Sequence, residues 1–321
     1  MKRLLAVILA AAALYSGYWF WQAQALRGQI EDWFEARRGD GWEASYADLS
    51  VQGFPNRLDV TFDDLLLANP ETGSVWEAPF FQMFSLVYKP DHWIFAWPDT
   101  QEVTVKSDSY RITSEGLRAS LITDGDRILR SNVEAKTLNV SGLHDFAVAG
   151  LNIGVAADEV EPKVMRLGLT AAALAGKAGT LGPSRSVDEV TVRAEVTFDE
   201  VWTKDALRKD KPQPVAVKLP LAEYHADGLT LKATGDWDVD DMGRLDGTGT
   251  LRAENWRALL DNAEGAGDLP GEVATVLRET LGLIAGLSGN KKTLDLTFSF
   301  DRGAVSLGII PLGKAPRLRF E

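Results

Sequence analysis

Residues 4 to 21 read LLAVILAAAALYSGYWFW, a run without a single charge. As a helix it rises about 27 Å at 1.5 Å per residue, close to the roughly 30 Å of a hydrocarbon core. Lys2 and Arg3 precede it, which orients such a span with its N-terminus in the cytoplasm and the rest of the chain across the membrane. Tyr15, Tyr18, Trp19 and Trp21 gather at the far end, where amphipathic rings favour the headgroup layer. The expected place is the inner membrane, single-pass, with the body in the periplasm. Ala23-Gln24-Ala25 is also an A-x-A site of the kind found where signal peptides are cut. A body secreted to the periplasm after cleavage near Ala25 is therefore the alternative. The length of the run, the bulky aromatics before the site and a helical continuation through Leu26, Ile30, Trp33 and Phe34 favour the uncleaved anchor. Residues 1–38 thus read as a membrane anchor with a helical extension, and residues 39–321 as an exported, β-rich body.

The chain has no cysteine, so the body holds together without disulfides and offers neither a thiolate nucleophile nor a Cys-ligated metal. Lys and Arg total 34 against 46 Asp and Glu, a net charge of −12. That charge repels phosphate backbones, and no basic stripe interleaved with aromatics offsets it, so nucleic acid is not an expected partner.

Past Gly39 the apolar residues recur with a period of two, the mark of strands with one wet face. Leu58, Val60 and Phe62 form one row; Val190, Val192, Ala194, Val196 and Phe198 form another. Leu229, Leu231 and Ala233 make a third, and Leu294, Leu296, Phe298 and Phe300 a fourth. Alternation of this kind belongs to antiparallel sheets, and turn signals such as Thr123–Asp126, Asp246-Gly247 and Asp301–Gly303 divide the rows. The pattern predicts roughly 14 to 17 strands. Helices are few: the extension of the anchor, a short one from Trp256 to Ala263 after Asn255, and one opening at Pro270. The last places Val273, Val276, Leu277, Leu281, Ile284 and Leu287 on one stripe, to pack on the sheet or plug its end. The fold class is mainly β with a few helices, a large curved antiparallel sheet behind an N-terminal transmembrane helix. Whether that sheet forms an open groove or a sandwich stays open. Breaks in pattern over 171–186 and 204–214 divide the body into two halves near 171–214.

Motifs for chemistry are sparse. No nucleophile-and-base signature is present, and the histidines, His92, His144 and His225, stand singly. Asp236–Gly243 starts like a calcium loop, yet Asp241 and Gly247 occupy the places where the loop needs Gly and Glu. Gly53-Phe54-Pro55-Asn56-Arg57 reads as a corner between strands, with Arg57 available to a carboxylate of the protein or of a ligand. The stretch YKPDHWIFAWP, residues 88–98, reads either as a buried strand or as a tip whose Trp93, Phe95 and Trp97 touch a membrane. No catalytic, cofactor-binding or metal-binding residue follows from these motifs, no cofactor is implied, and enzymatic activity is not expected.

The anchor, the G-F-P-x-R corner (Gly53, Phe54, Pro55, Arg57) and Y-x-P-x-H-x-I (Tyr88, Pro90, His92, Ile94) form one pattern with Leu117, Ser120 and Leu121. A C-terminal run, Gly303-x-Val305-x-Leu307-Gly308-x-x-Pro311-Leu312-Gly313-x-x-Pro316, extends it over nearly the whole chain. This pattern resembles the alphaproteobacterial domain-of-unknown-function family numbered two-one-two-five, and it is distantly similar to AsmA-like envelope proteins. The resemblance implies an exported, membrane-anchored envelope protein and, through the AsmA likeness, lipid handling. Together with the one-faced strands it suggests that a lipid or other apolar ligand is bound or shielded on an apolar inner face. The residues of that face would be Val190, Val192, Val196 and Phe198 with Leu294, Leu296, Phe298 and Phe300. The alternatives are a structural or adaptor protein whose partner is another envelope protein, and a hydrolase with no recognisable motif.

Overall fold

The computed structural model describes the chain apart from residues 144, 177–185, 188, 208–210, 227, 266–268, 288–291 and 321; of 186, 187, 259, 262, 283, 284 and 287 it describes the backbone alone. By its contacts the chain divides into two compact units, Met1–Thr123 with Leu138–Leu143, and Asp124–Thr137 with His144–Glu321. His144 and parts of the 171–214 stretch therefore lie outside the described residues.

The first unit opens with α1 (Lys2–Gly39), one unbroken helix that includes both the apolar run and its extension. It is long and apolar enough to cross a membrane. The sheet that follows comprises β1 (Glu43–Ser45), β2 (Asp48–Gln52), β3 (Arg57–Asn69) and β4 (Ser74–Leu86), then β5 (Lys89–Ala96), β6 (Thr100–Val105), β7 (Asp108–Glu115) and β8 (Arg118–Asp124). β3 pairs with β1, β2 and β4; β4 pairs in turn with β5 and β6; β5 pairs with β8, all antiparallel. Leu58, Val60 and Phe62 are buried as their alternation predicts. At Asp64, which has φ 48°, and Pro79 across from it, the ladder is interrupted. Proline cannot donate to a ladder, and the inward set changes parity there: Leu65 and Ala78 are buried beyond the break. The C-terminal half of α1 covers this face. Phe34 is 3% exposed and shares a core with Leu49, Val60, Phe62 and Leu65.

In the second unit β9 (Arg127–Ser141), which ends in the first unit, is followed by β10 (Phe146–Ala157), β11 (Val164–Ala171), β12 (Ala173–Gly176) and β13 (Ser186–Val187). Next come β14 (Glu189–Phe198), a short 3-10 turn, β15 (Pro214–Ala226), β16 (Leu229–Val239) and β17 (Leu245–Glu254). The helices α2 (Trp256–Gly265) and α3 (Gly271–Leu287) precede β18 (Thr293–Asp301), β19 (Ala304–Leu307) and β20 (Ile310–Lys314). From β10 the antiparallel order runs through β11, β14, β15, β16, β17, β18 and β19 to β20. The described residues hold 20 strands, more than the alternation suggests, because β1, β12, β13 and β19 are too short to show a period.

Two local expectations are corrected. Asp246-Gly247 is part of β17 and the turn lies at Asp240–Gly243; Gly247 is required because a Cβ there would lie 2.2 Å from the Asp236 carbonyl oxygen. The buried stripe of α3 is rotated: Ala274 and Ala285 are fully buried and Leu277 and Leu281 join them, while Val273 and Val276 face solvent. The side chains of Ile284 and Leu287 lie outside the described residues. Small alanines let the helix approach Leu294 closely, and a hydropathy stripe that counts large residues misses this.

Phe34 fixes the helix on the first sheet, so Phe34→Ala is expected to cost about 3–5 kcal/mol, the usual range for emptying an aromatic core site. The exposed Val276→Ala should stay within about 0.5 kcal/mol; chemical denaturation of the full chain in detergent compares the two.

Candidate functional site

The docking of α1 on the first sheet supplies the first functional geometry. Trp19 (4% exposed) and Ala23 are buried with Leu58 and Val87. The Trp19 indole Nε1–H donates to the Arg57 carbonyl at 2.8 Å, and the Tyr15 hydroxyl donates to the Pro55 carbonyl at 3.0 Å. The expected corner is therefore present and clamps the helix. Gly53 has φ 101°, the Phe54–Pro55 peptide is cis, and a Cβ on Gly53 would come within 2.9 Å of the Arg57 carbonyl oxygen. The Arg57 guanidinium is taken by Asp59, a carboxylate of the protein.

The aromatic stretch folds as β5, paired on one side with β4 and on the other with β8. Trp93 stands across from Ser85 and Leu121. Phe95 stacks on Phe81 at 6.3 Å and Trp97 packs against the same ring at 5.4 Å. Phe81 in turn neighbours Phe62, and Phe62 neighbours Phe34, so an aromatic row runs out from under the helix. All three candidate membrane residues are half-buried.

In the second unit the registers bring the two candidate ligand rows onto one face. Val192 aligns with Ala222, Ala222 with Ala233, Ala233 with Leu251 and Leu251 with Leu296. A parallel line joins Val190 through Tyr224, Leu231 and Ala253 to Leu294, and another joins Val196 through Val217, Trp237 and Gly247 to Phe300. Phe298 lies between, across from Gly249. The Trp237 ring meets Phe300 edge-on at 5.6 Å and lies over Gly235 and Gly249, where any Cβ would collide with it. One end of the face is closed by α2 and α3, whose Trp256, Leu260 and Ala285 bury Leu294 and Ala253. At the other end the C-terminal segment crosses the strands: Leu318 N–H donates to the Gly243 carbonyl, and Phe320 N–H to Gln213 Oε1 at 3.0 Å. Phe320 stacks on Phe198, which is buried. Between these ends Val190, Val192, Val196, Leu296, Phe298 and Phe300 remain only half-buried. The inner faces of a sandwich would cover such residues.

The opposite face is polar. A depression of about 440 Å³ is floored by Gly154 and Gly168, cross-strand neighbours, and rimmed by Arg130, Arg166 and Arg193. Arg166 is bound to Asp158. His225 accepts or donates to Thr230 Oγ1 at 3.1 Å through Nδ1 and meets Glu223 Oε1 at 3.0 Å through Nε2. The arrangement superficially suggests a nucleophile–base–acid set, but Lys232 holds Glu223 at 2.8 Å and depresses its pKa. None of the three lines this depression. His92 is on β5 in the first unit and His144 lies outside the described residues. In Asp236–Gly243 the Asp240 carboxylate accepts from the Met242 and Arg244 amides and from Arg244 Nε at 2.7 Å, closing a hairpin.

Residues 19–316 match the model of a family described as "Uncharacterized protein conserved in bacteria (DUF2125)". The chain belongs to this family. The match begins at Trp19, the residue that seats α1 of this DUF2125 protein on its sheet. No curated protein and no solved structure matches the chain. Sequence reasoning found the rows, the corner and the family, and missed the C-terminal strap, which carries no periodic signal.

Asp158 and Asp240, together with Glu223 beside Lys232, set a pH dependence in the second unit. The Glu161 and Val160 amides and then Arg166 hold Asp158 below the ordinary carboxylate value, and the Arg244 side chain and amide do the same for Asp240. Groups with depressed folded pKa values stabilise the fold above their unfolded pKa, and that contribution is lost as pH falls through the folded value. The thermal midpoint of the second unit is expected to drop between about pH 5 and about pH 2, and less steeply in the double variant Asp158→Asn, Asp240→Asn.

Proposed function

We propose that this DUF2125 protein is an inner-membrane-anchored periplasmic protein, non-enzymatic, that shields a lipid acyl chain on the apolar face of its second unit. The observation that carries the reading is the half-buried row Val192–Ala222–Ala233–Leu251–Leu296, apolar across five strands and flanked, along the strands, by the α2–α3 cap and the C-terminal segment. An apolar strip of this extent left partly in water gains by covering itself with hydrocarbon, at about 25 cal/mol per Å². Small side chains along the row leave room for a chain to lie across the strands.

Retention of the anchor has its own support. Trp19 and Ala23 are part of the first unit's core, so cleavage near Ala25 would remove two buried residues and the bond to Arg57. The packing favours the uncleaved helix over cleavage near Ala25.

Photocrosslinking tests both points. Membranes holding the full chain are irradiated with a diazirine palmitate probe, and the purified protein is weighed intact and mapped. Adducts on β14–β18, lost in Ala222→Trp and kept in Thr250→Trp on the polar face, are the expected result. Adducts confined to residues 4–21 in a folded chain would sink the ligand reading and favour the adaptor; a mass lacking the first 25 residues would sink the anchor.

A further inference from the structure

We propose that the end of the first unit's sheet is a second membrane contact, in which the corner Gly53–Arg57 and the turn at Tyr88 place Phe54 and Tyr88 in the headgroup layer beside the anchor. The inference rests on the anchor reading above. Its basis is depth. Trp19 meets Leu58 and Phe34 meets Phe62, so β3 climbs beside α1 away from the apolar run. The strand ends at the Leu58 side of β3 are therefore the lowest part of the sheet. Those ends are held at the level of helix residues 15–20: the Tyr15 hydroxyl donates to the Pro55 carbonyl, Phe54 meets Trp19 edge-on at 5.6 Å, and Phe54 stacks on Phe20 at 6.0 Å. The neighbouring turn is tied to the corner by Val87 N–H donating to the Asn56 carbonyl at 3.0 Å. Residues 15–20 belong to the last turns of the uncharged run, so whatever docks on them stands at the outer interface of the bilayer.

Both loops present an aromatic ring at that level. Phe54 is 52% exposed and Tyr88 66% exposed, and Tyr18, Phe20 and Trp21 on the helix are exposed as well. The faces these rings leave in water gain nothing there; at the interface they complete an aromatic belt of which the helix alone supplies one side. Beside Tyr88, the exposed Lys89 can reach lipid phosphates.

The absence of cysteine allows one fluorophore per chain. Phe54→Cys, Tyr88→Cys, Phe20→Cys and Glu102→Cys are labelled with an environment-sensitive dye, and the full chain is reconstituted into phosphatidylethanolamine–phosphatidylglycerol vesicles. Glu102 lies on β6, which pairs with the far end of β4. Headgroup-nitroxide lipid should quench the labels at 54 and 88 roughly twofold or more relative to 102. Quenching at 20 with 54 and 88 behaving like 102 would overturn the second contact and leave the anchor standing. No quenching at 20 would overturn the anchor, and this inference with it.

Discussion

The seat of Trp19 against Leu58 and Val87 is the interaction on which the first unit depends. A helix that begins apolar all round must become apolar on one stripe where it joins a folded domain, and in α1 that change happens at Trp19. Trp19 resolves the conflict by pairing its one donor with the Arg57 carbonyl, so its burial leaves no orphaned polar group. From that point the helix buries one side only, through Ala23 and Phe34, and near its end Arg38 turns onto that side, its Nε donating to the Ala44 carbonyl at 2.7 Å. α1 is thereby a structural member of the first unit, and the sheet of that unit has no freedom to swing on a linker.

Surface charge contributes little to holding either unit. The ion pairs Arg111–Glu102 and Arg302–Asp301 are more than 40% exposed on both partners, and pairs of that kind are worth about 0–1 kcal/mol. With no disulfide available, stability rests on apolar burial. That burial is concentrated where a helix covers a sheet: Phe34 on Val60 and Phe62, and Ala285 and Trp256 on Leu294. Strands away from the helices keep the same inward pattern without the same cover, which is why their apolar residues are half-buried.

Much of this was legible in the sequence, and the parts that were not share a cause. Alternation identified β3, β14, β16 and β18 because each has one wet face, and the uncharged run with its flanking Lys2 and Arg3 identified α1. The common face of the Val190 and Leu294 rows was not legible, because it depends on four registers across three intervening strands and a bulge between Leu219 and Ala222. The parity change at Asp64 and Pro79 was hidden for the same reason: a period reports one strand, and the break is a property of a pair. Asp246-Gly247 looked like a turn because Gly signals freedom of φ, whereas Gly247 is there for the closeness of Asp236 and Trp237. The corner was read correctly as a corner, but its role as the clamp on α1 requires knowing that Tyr15 and Trp19 stand beside it.

Glycine and tryptophan are coupled across β16 and β17 in a way that bears on why the face stays open. Trp237 lies over Gly235 and Gly249 because neither has a Cβ, so the largest ring on the face lies flat along the sheet. An upright indole at that position would divide the row between Val192 and Leu296 from the aromatic end at Phe300. Laid flat, it keeps a continuous apolar floor from the α2–α3 cap to the C-terminal strap. A sequence selected only to fill a core would have no use for two glycines under a tryptophan. The arrangement costs conformational entropy at both glycines and is consistent with a face kept low to admit another molecule.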